Sequence, residues 1–216
     1  MANRGSRLRV LLGVAALLVA GLIVQLLFFG DDPFEGLSPD EARIERLRLD
    51  GDVDGLAAEL AGDSAAVAAL AVRALGRLAP DALPHVERAI KDPRPEVREA
   101  AAVALARAGA VDGAPLLAAA AGSDDSATVR AAAVTALGRL HAVDEMPSLL
   151  KALSDDSAAV RGRAAEAVAA ITGIEFGFRA DATPAQRQKA EDQIRFLWKQ
   201  FETTIRERIA RERSRP

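Results

Sequence analysis

An all-α solenoid built from stacked helical hairpins is the fold that this 216-residue sequence predicts. Three observations lead there. The chain aligns with itself at a spacing near 31 residues, 48 of its residues are Ala while only 4% are aromatic, and each aligned segment opens with Asp followed by Ser or Pro. Small side chains at close spacing suit helices, where Ala is the best-tolerated residue, and do not fill a sandwich or barrel. A period of this size marks units that cannot bury their own apolar face and so stack to share one core.

Taken in chain order, residues 1–9 form a basic N-terminus with Arg4, Arg7 and Arg9. Residues 10–29, VLLGVAALLVAGLIVQLLFF, hold Gln25 as the only strongly polar residue. At about 1.5 Å per residue a helix of that length spans the ~30 Å hydrocarbon core, so a transmembrane helix is expected. Arg residues precede it while Asp31, Asp32 and Glu35 follow it. That bias predicts a single-pass protein of the cytoplasmic (inner) membrane, N-terminus cytoplasmic and bulk extracytoplasmic or periplasmic. A cleaved signal peptide is the rival reading. It fits poorly, because the run exceeds an ordinary h-region and its exit, LLFFGDDPF, has no small-x-small cleavage site. Gly13, Gly21, Ala16 and Ala20 offer small residues for dimerisation of the span, against the plainer reading of lipid-facing filler. Residues 30–37 read as a linker.

The solenoid is expected over residues 38–173. Its key valines are Val67, Val97, Val129 and Val160, at intervals of 30, 32 and 31 residues. Four residues on come Ala71, Ala101, Ala133 and Ala164; eight on come Leu75, Leu105, Leu137 and Val168. That spacing is one face of a helix, repeated four times. Asp at the start of each unit can accept backbone N–H bonds, and Pro84, Pro115 and Pro147 are placed to open a second, shorter helix. A degenerate pair of helices near residues 39–49 and 53–61 would cap the N-terminal end.

The D-S-x-x-V-R starts, the A-x-x-A-L-G-R-L runs and the Pro-initiated second helices resemble the HEAT repeat, in particular the phycobilisome-lyase HEAT-like repeat, over about residues 63–173. The resemblance implies a ladder of charges between neighbouring units: Arg98, Arg130 and Arg161, pairing with acids such as Asp92, Asp125 and Asp156. Ala68 stands where the first unit would carry its Arg, so the ladder should be missing there. The resemblance also implies that second helices line the inner face of the solenoid. On the first of them, His85, Arg88 and Lys91 form a cationic stripe, and with Lys151 they are the candidate contacts for an acidic partner. A solvated face is the bland alternative.

After the last unit, residues 174–216 hold five of the eight aromatics. The only strand-like stretch in the chain, IEFGF, lies here. Thr183-Pro184 with Gln186 then makes a capping box for a long helix whose apolar face reads Ala190, Ile194, Leu197, Phe201, Ile205 and Ile209. Phe176, Phe178 and Trp198 are expected to cap the solenoid. This ending is similar to the ends of bacterial HEAT-like proteins, which implies a bacterial source.

The chemical inventory is sparse: no Cys, no Tyr and two His. That excludes disulfides, thiolate nucleophiles and His-rich metal sites. His85 is followed by Val86 and His141 by Ala142, so the His-Glu pairs of di-iron HEAT-like hydroxylases are missing, and no G-x-S-x-G occurs. Residues 31–178 carry 15 basic and 25 acidic side chains, a net charge of −10 that opposes nucleic acid as a partner. No cofactor is expected. The sequence therefore predicts a membrane-anchored, extracytoplasmic scaffold or assembly factor that binds another protein without catalysis; the alternative is a lyase-like or other enzyme acting on a protein-bound group.

Overall fold

A computed structural model describes Phe34 and residues 36–214, and the chain divides into two compact units, Met1–Ala42 and Arg43–Pro216. In the first, Leu37 N–H donates to the Phe34 carbonyl at 3.1 Å. Ser38 and Glu41 cap a helix start reciprocally: the Ser38 N–H donates to Glu41 Oε2 at 2.9 Å, and the Glu41 N–H to Ser38 Oγ at 3.3 Å. The helix they open is α1, Pro39–Leu49.

The second unit continues with α2 (Val53–Leu60), α3 (Ala65–Leu75), α4 (Leu83–Ala89), α5 (Pro95–Arg107), α6 (Ala114–Ser123), α7 (Ala127–Arg139), α8 (Met146–Ala152), α9 (Ala158–Thr172) and α10 (Pro184–Arg213). No strand occurs among the described residues. The longer helices α3, α5, α7 and α9 pack one against the next. The shorter α4, α6 and α8 fold back on them, each with Pro in its first turn, where a missing N–H costs nothing. Between α5 and α6 the chain turns through Gly109 at φ +66°. The same place one repeat later holds His141 at φ +46°. His141 thus occupies a position whose backbone favours Gly, and a short 3₁₀ turn follows in both units (Val111–Gly113 and Val143–Glu145).

The repeated face is the core. The four valines, four alanines and Leu75, Leu105, Leu137 and Val168 are all buried, as Ile44 and Leu56 are at the N-terminal end. Stacking brings backbones into near contact. A Cβ added to Gly76 would lie 2.6 Å from Ala104 Cβ, and one added to Gly138 would lie 2.8 Å from Ala167 Cβ. This is why Ala is so abundant: neighbouring helices touch along their backbones and leave no room for larger residues.

One expectation is overturned. No helix among the described residues is long and apolar enough to cross a membrane; α10 has the length, with 30 residues, but is studded with charge. The single-pass inner-membrane localisation, with the bulk of the chain extracytoplasmic, does not stand. Residues 10–29, on which it and the dimerisation of the span were read, lie outside the described residues.

Gly138→Ala should therefore lower the urea midpoint by the equivalent of ~1 to 3 kcal/mol, the usual cost of overpacking. Gly122→Ala, on α6 with open space around it, should raise stability by about 0.5 kcal/mol through helix propensity alone. Equal shifts of the same sign would contradict backbone-to-backbone stacking.

Candidate protein-binding surfaces and the ladder behind them

At the N-terminal ends of α5 and α7, one arginine links two repeats. Arg98 donates through Nη1 to the carbonyls of Asp92 and Pro93, both at 3.0 Å, holding the turn that precedes its own helix. Its other nitrogens reach the next unit, Nε to Asp124 Oδ2 at 2.7 Å and Nη2 to Asp124 Oδ1 at 2.8 Å. Arg130 repeats the pattern, with Nη1 on the carbonyls of Asp124 and Asp125 and a bidentate pair to Asp155 at 2.8 and 2.9 Å. Such fork-to-fork pairs fix geometry as well as charge. Each acid also accepts the N–H two residues on, from Ser126 to Asp124 and from Ser157 to Asp155, so one carboxylate holds the turn before a helix and completes a rung.

Of the expected acids, Asp125 pairs with Arg98 but is not the main rung acid. Asp125 accepts only one bond, from Arg98, and its side chain is 90% exposed. Asp156 contributes its carbonyl to Arg161 and no carboxylate. The rung acids sit five residues before each repeat valine, the place that Asp92, Asp124 and Asp155 share. Asp92 pairs instead with Arg94, two residues on. In the first unit that place is Gly62, and Ala68 replaces the arginine. Arg94 fills this gap by reaching back to the carbonyls of Gly62 at 2.6 Å and Leu60 at 2.8 Å.

At the far end no further repeat supplies an acid. Arg161, buried, donates Nε and Nη2 to the Ala180 carbonyl at 3.1 and 2.7 Å, and Nη1 to the carbonyls of Asp155 and Asp156. The chain reaches Ala180 by running back along α9, which puts Phe176 and Phe178 against the core. The long α10 then passes antiparallel to α8: Glu191 accepts from Ser154 Oγ at 2.6 Å, Arg195 donates to the Leu150 carbonyl at 2.9 Å, and Arg213 donates to the His141 carbonyl at 2.8 Å. Its buried face is Glu191, Ile194, Trp198, Ile205 and Ile209. Phe201, expected there, is 41% exposed, because Trp198 takes the central place with the Arg206 guanidinium 5.8 Å from its ring centre.

The predicted partner-contact cations fall in two places. Arg88 and Lys91 are exposed around the end of α4 and His85 is half-buried, while Lys151 lies on α8, two short helices further along. No acidic group pairs with Arg88, Lys91 or Lys151 among the described residues. Lys151 borders a cleft of about 440 Å³ with Ser148, Ser154, Asp155 and Asp156, whereas Arg88 and Lys91 lie outside it. The exposed residues of α6 are Pro115, Ala119, Gly122 and Ser123.

Electrostatics mark the rungs. Burial pushes Asp124 and Asp155 up, but hydrogen bonds from Arg98 and Arg130, with those from Ser126 and Ser157, outweigh it and hold both carboxyls below the ordinary range. The Arg94 hydrogen bond lowers Asp92 in the same direction.

The sequence model for HEAT repeats matches residues 53–138 and 122–185. The chain belongs to the HEAT repeat family. Among solved structures, this HEAT-repeat chain is similar to the complex of CpcE and CpcF of phycocyanin lyase from Nostoc sp. PCC7120, at 25% identity and a TM-score of 0.52. The match covers 65% of this chain and 63% of that one, so the chain spans under two thirds of that relative's length. An engineered protein matches at 22% identity and a TM-score of 0.48, covering 73% of this chain and 83% of its own. No curated protein matches.

Two outcomes follow. Carboxyls with depressed values stabilise the fold fully above the ordinary carboxylate value near ~3.9, and that contribution is lost as pH falls through the depressed values. The urea midpoint should be flat from about pH 7 to 5 and drop below about pH 4, and Asp155→Asn should shrink the drop; an identical drop in the variant would contradict the rung. Trp198→Ala should cost ~3 to 5 kcal/mol, as for a large buried aromatic, and an unchanged midpoint would show that α10 does not pack as described.

Proposed function

We propose that this HEAT-repeat chain is a protein-binding scaffold or assembly factor that takes an acidic surface of another protein onto its short-helix layer, without catalysis of its own. The observation that carries this reading is that Arg88, Lys91 and Lys151 stand exposed and without acidic partners among the described residues, in a stretch of net charge −10, whereas the rung arginines are all engaged. Cations that neither cap a helix nor pair internally are free to meet an incoming carboxylate. The small residues of α6 between the two sites let a partner approach closely. On the same reading the rungs hold the stack in register, and Phe176, Phe178 and Trp198 close its end.

Likeness to the CpcE–CpcF complex favours a second reading, a component of a lyase that acts on a group carried by its protein partner. The readings part on what happens to the partner. Under the first it leaves the complex with unchanged intact mass; under the second it leaves with a group gained or lost.

The Arg88→Glu/Lys91→Glu/Lys151→Glu variant should keep its circular dichroism spectrum and urea midpoint and lose proteins that the parent chain captures by affinity. Capture of the same proteins by both chains would overturn the assignment of this face.

A further inference from the structure

Three side chains of the last two units depart from the repeat, and all three line one cleft. Arg163 stands three residues after its valine, where the other units carry Leu70, Ala100 and Ala132. Ala170 stands ten residues after it, where the first three units carry Arg77, Arg107 and Arg139. His141 fills the turn position that Gly109 holds one repeat earlier, at φ +46°, a backbone conformation that costs stability in any residue with a side chain. Stacking requires none of these choices.

The cleft has a volume of about 410 Å³, lies on α7 and α9, and includes no residue of the short helices α4, α6 and α8. Its floor offers nothing polar. Gly138 and Ala167 are buried beneath it, Ala170 adds a methyl group, and Thr135 uses its hydroxyl on the Ala131 carbonyl at 2.8 Å. The rim carries Arg139, His141 and Arg163, all exposed, and no acidic group pairs with Arg139 among the described residues. Arg163 donates to Glu166 at 2.8 Å, but both side chains are more than half exposed, and such a pair holds weakly. The carbonyls that end α7 would repel an anion through the helix dipole. They are already engaged, because Arg213 donates to those of Leu140 and His141 at 3.3 and 2.8 Å.

We propose that this cleft binds a small organic anion, its apolar body seated on Gly138, Ala167 and Ala170 and its oxyanion held by Arg139, His141 and Arg163. An arginine at position 170, as in the earlier units, would reach into this space; Ala170 leaves it open. The two guanidinium groups present planar forks to an oxyanion, and the imidazole adds an N–H. A bare inorganic anion would leave the apolar floor wet, and an uncharged molecule would leave the guanidinium groups unmet. A partner's Asp or Glu carries too short an apolar stem to cover the floor. The site is separate from the short-helix face assigned to a protein partner, since Arg88, Lys91 and Lys151 do not line it.

Proton NMR of the full chain tests this, with anilinonaphthalene sulfonate as the probe. Only two His occur, so each imidazole resonance is assigned by replacing the other. On titration the His141 resonances should move and saturate in a single step while those of His85 stay still. Inorganic sulfate and the uncharged phenylnaphthylamine should each bind at least ~10-fold more weakly, since each keeps one kind of contact and loses the other. Arg139→Gln should weaken the probe by about 10-fold, and Ala170→Leu should abolish binding by filling the floor, with the urea midpoint unchanged in both because both positions are exposed. His141→Gly, followed by probe fluorescence, should weaken binding with a midpoint no lower than the parent's, because Gly suits that backbone. Still His141 resonances, equal affinity for sulfate or the uncharged analogue, or undiminished binding to Ala170→Leu would each overturn the proposal. A lowered midpoint in His141→Gly would do so as well, by making that side chain a structural one.

Discussion

The guanidinium groups at the start of α5 and α7 do two jobs that the stack cannot separate. One nitrogen satisfies the carbonyls of the turn before its own helix, and the others grip the carboxylate that begins the next unit, as Arg98 does with Asp124 and Arg130 with Asp155. Apolar contact between Ala-lined helices is non-directional and would tolerate sliding. A planar fork on a planar carboxylate does not. The Arg130–Asp155 rung joins the two helices on which Gly138 meets Ala167, a contact with no room for a side chain at position 138. Each acid also accepts the N–H of the serine two residues on, so the rung and the turn that leads into the helix share one carboxylate.

The two ends show what the rung requires. Where Gly62 and Ala68 remove both members, Arg94 comes from the following turn and bonds carbonyls directly. Where the repeats run out, the Ala180 carbonyl stands in for an acid, and the chain reaches it only by returning along α9 in extended form. The return along α9 is thus a consequence of ending the ladder.

Helix positions were legible because the valine, alanine and leucine of each unit recur with helical spacing, and the same alignment showed that the first unit lacks its arginine. The acids were read one residue late in two units. Asp124-Asp125 and Asp155-Asp156 are adjacent pairs, and the Asp-Ser match drew attention to the second of each. Counting back five residues from the valines, to Asp92, Asp124 and Asp155, would have selected the first. Arg94 carries no repeat signal, being a local answer to Gly62. Glu191 was invisible for another reason: a charged residue on an amphipathic helix reads as solvent-facing, and only its bond to Ser154 explains its burial. Phe201 was read on the apolar face of α10 and is exposed, because it lies on a stripe next to the one that buries Ile194, Trp198 and Ile205.

A double-mutant cycle on Arg130 and Asp155 tests the dependence of the stack on its rungs most directly. Urea unfolding of Arg130→Ala, Asp155→Ala and the double variant should give a coupling energy of ~1.5 to 3 kcal/mol, the range for hydrogen bonds to charged groups. A coupling near zero, with the two single losses simply additive, would mean that small-residue packing alone holds the register.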